Sequence, residues 1–210
     1  MYRLSYLANM FFIAILPLIC RALALQANHS RAYFSTISGN YMLSPERWVF
    51  GIGVSLFIGI YLGYHGMISP RVLNGVNSIK SYASTLEIAE LGLFLLIAWI
   101  PAHLILGMHA LLGGMLFTIS TLWIQTIAQH APASTAVSYT RHALVISAVV
   151  CLIGMIAHFP ADLIGELVHT KPYSQERYYL LGMDARWDRF AIFEWLLFYS
   201  VIAFMTTCCP

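Results

Sequence analysis

The chain has 210 residues, of which 60% are hydrophobic and 10% charged, with a formal net charge of +2. Ordinary globular domains carry roughly 45–50% apolar and about 25% charged residues, so this composition, with a mean hydropathy of +0.74, excludes a water-soluble fold and points to a chain whose solvent is lipid, where only a helix satisfies its own backbone. The 11 Lys and Arg are scattered rather than clustered, which excludes a nucleic-acid surface.

In chain order, apolar segments long enough to span a bilayer fall at residues 4–26, 48–68, 83–106, 107–128, 142–162 and 189–207. They predict an all-α polytopic membrane protein, a single six-transmembrane-helix bundle over residues 1–210. The first segment has features of a secretory signal, with Arg3 ahead of it and Ala22, Leu23 and Ala24 after it. Arg21 interrupts the apolar core that such a signal needs, and the length suits a full crossing, so a retained helix is the better reading. The third and fourth segments run together, and a turn is expected between Pro101 and Gly107. Of the four cysteines, Cys20 and Cys151 lie within apolar runs while Cys208 and Cys209 are adjacent at the C-terminal end, a pattern that describes no disulfide framework.

Six spans put both termini on one face, here side A. Side A holds Arg3, Arg71, Lys80 and Arg141, and side B holds Arg21, Arg31, Arg47, Lys171, Arg177, Arg186 and Arg189, so a positive-inside count places side B in the cytosol. Against it stand the Asn28-His29-Ser30 sequon in the first side-B loop, which is glycosylated only on the lumenal side, and the Cys208-Cys209 pair on side A, which suits cytosolic palmitoylation. These signals alone leave the orientation open.

Ionisable groups inside a span cost about 2.5–3.5 kcal/mol each at the bilayer centre and are functional candidates for that reason. Counting along the helices places Glu87 and Glu90 roughly 6–10 Å in from side A. His103, His109, His158, Asp162 and Glu194, with Arg21 and Arg47, are expected at one level near side B. Such residues at helix ends are also tolerated simply because they lie near an interface, and long cationic side chains snorkel to headgroups. That plain explanation is weakest for Glu90 and Glu194, which adjoin strongly apolar runs, and intermediate for His109, whose neighbours Ala110, Gly113 and Gly114 permit close helix packing. A His beside a carboxylate is the usual equipment for general acid and base work. No G-x-S-x-G or H-E-x-x-H accompanies it, and the His spacings match no compact metal motif, so no metal or cofactor is expected. A non-enzymatic membrane scaffold, in which the polar level is helix glue, and a lipid transporter are the competing classes. A transporter would be expected to carry a midplane site between repeated halves or broken helices.

Four stretches resemble the FRAG/DRAM/Sfk-type family of six-span membrane proteins, most closely its Golgi GPI-anchor lipid-remodelling members. They are Ser35-Thr36-Ile37-Ser38-Gly39-Asn40 with Pro45-Glu46-Arg47, Glu90 with Leu91 and Leu95, the segment HALLGGMLFTISTLW from His109 to Trp123, and Phe190-Ala191-Ile192-Phe193-Glu194-Trp195. The chain departs from that family in a longer, more charged segment over residues 163–188. The resemblance implies cytosolic termini, a lumenal side B, residence in the Golgi or endoplasmic reticulum, and a part in exchanging the acyl chains of GPI anchors, as enzyme or as accessory. Its implied partners are membrane lipids, GPI-anchored substrate proteins and other membrane proteins. On that reading His109, Glu194 and Glu90 are the catalytic candidates, and Arg21, Arg47, His103, His158 and Asp162 the headgroup-binding candidates. Asn28 is the glycosylation candidate, and Cys208 and Cys209 the palmitoylation candidates.

Overall fold

The structure, a computed structural model, describes residues 2–29, 35–41, 43–73, 77–100, 106–159 and 187–209, with Leu106 described by its backbone only. Its helices are α1 (Tyr2–Gln26), α2 (Glu46–Ile60), a short α3 (Ser69–Val72), α4 (Asn77–Trp99), α5 (Leu106–His130), α6 (Thr135–Ala157) and α7 (Trp187–Thr206). No strand occurs among the described residues. Six stretches, Tyr2–Gln26, Glu46–Val72, Asn77–Trp99, Gly107–His130, Thr135–Ala157 and Trp187–Thr206, are long and apolar enough to cross a membrane. The chain is an integral membrane protein of the expected class.

The spans pack as a closed ring: α1 on α2, α2 on α4, α4 on α5, α5 on α6, α6 on α7, and α7 back on α1. Helix α7 also touches α5 and is half buried, whereas only 22% of the most apolar window of α6 is enclosed. The main interior cluster is built around Trp123, Tyr61, Phe50, Leu197 and Phe204, and a small second one joins Leu93, Ile97 and Leu116 between α4 and α5. Large apolar side chains line the outside, including Leu4, Phe11, Ile146 and Ile156. That arrangement costs nothing in hydrocarbon, so the helices are held by close packing rather than by burial from water. Glycines set the approach at two contacts. A Cβ on Gly154 would fall 2.5 Å from the Phe193 ring, and one on Gly53 would fall 2.6 Å from the Leu16 side chain. Gly154→Val is therefore expected to lower stability by about 1–3 kcal/mol by forcing α6 off α7, which thermal melting of the detergent-purified protein checks.

Several boundaries differ from the apolar runs, because polar residues prolong helices beyond the hydrocarbon. Helix α4 begins at Asn77 rather than at residue 83, and α6 begins at Thr135 rather than at 142, behind the Ser134 N-cap. The fifth span ends at Ala157, with His158 as its C-cap, rather than at 162. The second span is the largest departure. After Ile60 the chain widens into a π-turn, Tyr61–His65, then reverses at Gly66, whose φ of 66° is a left-handed conformation that suits glycine. The short α3 follows.

Glu87 organises that reversal. Its Oε1 accepts from the Tyr61 hydroxyl at 2.6 Å and from the Ile68 N–H at 2.6 Å, and its Oε2 accepts from the Ser69 N–H at 2.8 Å. Trp123 Nε1 on α5 donates to the Ser69 hydroxyl at 2.9 Å. The side-A end of the second span is thus clamped to α4 through backbone N–H groups that would otherwise be orphaned in an apolar setting, and to α5 through the Ser69 side chain.

Candidate functional site

The side-B end is organised by the segment between α1 and α2. Helix α1 ends in paired bonds, His29 N–H to the Ala24 carbonyl and Asn28 N–H to the Leu25 carbonyl, with Asn28 left-handed at φ 57°. This is the Schellman stop that Gly or Asn fills, so the helix end by itself accounts for an asparagine at 28. Asn28 is exposed, and Ser30, the third residue of the sequon, lies outside the described residues. His29 then reaches back to Glu46 at the start of α2, Nδ1 to Oε1 at 3.0 Å, where the carboxylate is fully buried.

Residues 35–41 fold inward rather than lying on the surface. Ser35, Ile37, Asn40 and Tyr41 are each 5% exposed or less. The turn Ser38–Tyr41 is held from within, since the Ser35 hydroxyl donates to Asn40 Oδ1 at 2.7 Å and the Asn40 amide donates to the Thr36 carbonyl at 3.0 Å. It is held from outside by three spans. Arg21 of α1 donates to Ser35 Oγ at 2.7 Å, and Tyr41 stacks on Phe50 of α2 at 3.8 Å. From α7, Trp195 Nε1 donates to the Ser35 carbonyl at 2.9 Å.

Glu194 is the strongest of these ties. Its Oε2 accepts from the Ile37 N–H at 2.7 Å and its Oε1 accepts from the Ser38 hydroxyl at 3.3 Å. The helical reason is plain: Glu194 and Trp195 sit two turns into α7, so their side chains meet a turn that has entered the bundle rather than the surface. Burial pushes the Tyr41 phenol well above its usual range, with the Glu194 charge acting in the same direction. Tyr41 is therefore a neutral hydroxyl, able to donate at any physiological pH.

His109 approaches the same turn from α5. It is 5% exposed, and its ring centroid lies 6.2 Å from that of Tyr41. Nδ1 is 3.3 Å from the Ile100 carbonyl. A carbonyl only accepts, so Nδ1 carries the proton, and in the neutral ring Nε2 keeps its lone pair. Nε2 has no hydrogen-bond partner among the described residues. An unengaged imidazole lone pair, a neutral phenol and a serine hydroxyl bonded to a carboxylate thus gather around Ser38–Tyr41, which is equipment for moving a proton onto or off an alcohol or ester.

The other sequence candidates are distributed differently. Glu90 does not join His109 and Glu194: its Oε1 accepts from the Ser120 hydroxyl at 2.6 Å, and Ser120 lies about 16 Å farther along α5 than His109 at 1.5 Å per residue. Because α4 starts at Asn77, Glu90 is roughly 20 Å along that helix rather than close to its side-A end. His158 is at the expected end but stacks on Phe193 at 5.5 Å and 5°. Arg47 lies over Trp48 at 5.7 Å. His103 and Asp162 lie outside the described residues. Cys208 is 3% exposed and takes a contact from Arg141 at 3.7 Å, and burial pushes its thiol up against the opposing pull of that cation. A buried thiol of that kind is a poor acylation target, whereas Cys209 is partly exposed.

Sequence reasoning did not single out Tyr41, the His29–Glu46 pair or the clamp role of Glu87. An acidic residue opening α2 was a legible helix-start signal, but nothing in the local pattern pairs it with His29. Among the described residues no group of three or more His, Cys, Asp or Glu is arranged to hold a metal ion. No protein-family model, curated protein or solved structure matches the chain.

Proposed function

We propose that this protein acts on lipid at the headgroup level of side B, in the exchange of acyl chains on GPI anchors within the Golgi or endoplasmic reticulum, with both termini cytosolic. Two things support the reading: the resemblance of four sequence stretches to the FRAG/DRAM/Sfk-type family, and the meeting of His109 from α5 and Glu194 from α7 at the turn that carries Ser38 and Tyr41. That meeting is the observation that carries it. In this reading the His109 Nε2 lone pair is the proton acceptor, the Tyr41 phenol donates to a developing oxyanion, and Arg21 and Arg47 lie at the level of a GPI phosphate.

The acyl composition of GPI anchors in cells lacking the protein and complemented with variants is the test. His109→Asn and Tyr41→Phe are expected to lower remodelled anchors by at least tenfold with unchanged protein level, the ordinary contribution of a positioned acid or base being about 10²–10⁴-fold. Unchanged anchors would remove the reading. One observation favours an accessory or scaffold role instead: both Glu194 oxygens are already engaged by the chain's own Ile37 and Ser38. On that reading the same variants lose a co-purifying membrane partner while any acyl exchange that remains keeps its rate per assembled complex.

A further inference from the structure

The opposite end of the bundle carries a second polar feature that the side-B chemistry does not use. A cleft of about 210 Å³ opens on side A between the Gly66 reversal, α3, α6 and the end of α7. Its polar walls include Arg71, Arg141 and Thr207. One water needs about 10–15 Å³ measured in this way, so the space admits a polyatomic group.

Arg141 is 4% exposed, six residues into α6. Its guanidinium donates to Thr207 Oγ1 at 3.1 Å, the Thr207 carbonyl at 3.1 Å and the Ala131 carbonyl at 3.4 Å, touches Cys208 Sγ at 3.7 Å, and lies 5.9 Å from the Phe204 ring. Every one of these partners is neutral. Arg71 donates to the Tyr2 hydroxyl and lies 5.5 Å over that ring, again a neutral partner. Gly66 keeps room for it, since a Cβ there would stand 3.0 Å from Arg71 Nη2.

Charge on this side is one-sided. The side-A segments of the sequence carry Arg3, Arg71, Lys80 and Arg141, and none of the stretches 1–3, 66–76, 131–134 and 207–210 contains an Asp or Glu. Among the described residues, Glu87 at this end of the bundle is occupied by three donors of its own. Arg141 is a buried cation without a charged partner, which is costly, and with the exposed Arg71 on the same cleft it offers two guanidinia suited to phosphate. The cleft lies at the span ends, where a headgroup would sit.

From these facts we infer that the side-A cleft is a binding site for the phosphate of an anionic lipid in the adjoining leaflet, held between Arg71 and Arg141. The site is independent of the side-B reading and stands or falls separately from it. The phosphate chemistry is shared with free phosphate, and the position at the membrane surface commits the site to lipid.

Native mass spectrometry of the whole detergent-purified chain titrated with phosphatidic acid tests this, with phosphatidylcholine as the zwitterionic comparison and inorganic phosphate as the soluble arm. The expected result is a phosphatidic acid adduct that phosphatidylcholine does not match and that inorganic phosphate at equal concentration does not displace. Arg71→Gln, at an exposed position, should weaken it at least tenfold. Arg141→Lys, which keeps the charge but loses the fork, should also weaken it, with melting curves confirming that both variants are folded. Lys80→Gln, on the same side but outside the cleft, should leave binding unchanged. Equal binding by folded Arg71→Gln and Arg141→Lys, or an equal loss with Lys80→Gln, would overturn the site. Displacement by inorganic phosphate at equal concentration would overturn lipid as its occupant.

Discussion

Glu87→Ala is expected to cost about 3–5 kcal/mol and to leave little protein monodisperse after extraction. The substitution strands the Ile68 and Ser69 N–H groups and the Tyr61 hydroxyl, all in buried positions, and each orphaned buried donor costs about 1–3 kcal/mol. Glu87→Gln should fall between, because an amide oxygen still accepts while its NH₂ now faces a donor. Glu90→Gln is the comparison: it disturbs one hydroxyl bond at 2.6 Å, so a loss of about 1 kcal/mol is expected. Thermal melting of the three variants in one detergent would show the order, and a Glu87→Ala variant as stable as Glu90→Gln would contradict the clamp.

The second large effect is at Glu194. Glu194→Ala removes the acceptor of both the Ile37 N–H and the Ser38 hydroxyl, while the Trp195 bond from α7 to the Ser35 carbonyl stays. A charge-assisted bond is worth about twice a neutral one, so a local loss of roughly 2–4 kcal/mol is expected. At 1.4 kcal/mol per tenfold, hydrogen exchange at residues 35–41 should speed up by at least tenfold, while exchange around Glu87 at the far end stays unchanged. Equal protection in the variant would mean that the turn is held by something other than α7. Activity that survives a loosened turn would separate the anchoring role of Glu194 from any part in proton transfer.

The six spans were legible because crossing a bilayer demands long apolar helices, a constraint that composition alone expresses. Their ends were less so: hydropathy does not see Asn77 to Tyr82 or Thr135 to Arg141 as helix, since polar residues beyond the hydrocarbon still satisfy their backbone helically. That shift moved Glu90 away from the expected level and brought Glu87 to the turn at Ile68. The side-B gathering of His109 and Glu194 followed from counting residues along spans, which works because rise per residue is fixed. The insertion of residues 35–41 was not readable, because a serine-rich stretch between two spans has the composition of a surface loop. Its buried polar atoms become acceptable only through partners on α1, α2 and α7 that lie far away in sequence.

The functional account depends on lipid reaching the buried groups around Ser38–Tyr41. Photo-crosslinking answers it most directly: the protein in bilayer nanodiscs is irradiated with a phosphatidylinositol whose photoreactive group sits near the glycerol, and the labelled peptides are mapped. The account predicts labelling concentrated on residues 35–41 and the first turn of α5, and its loss when unlabelled phosphatidylinositol competes. Labelling spread evenly over the outward apolar faces, with none on that turn or beside His109, would contradict it.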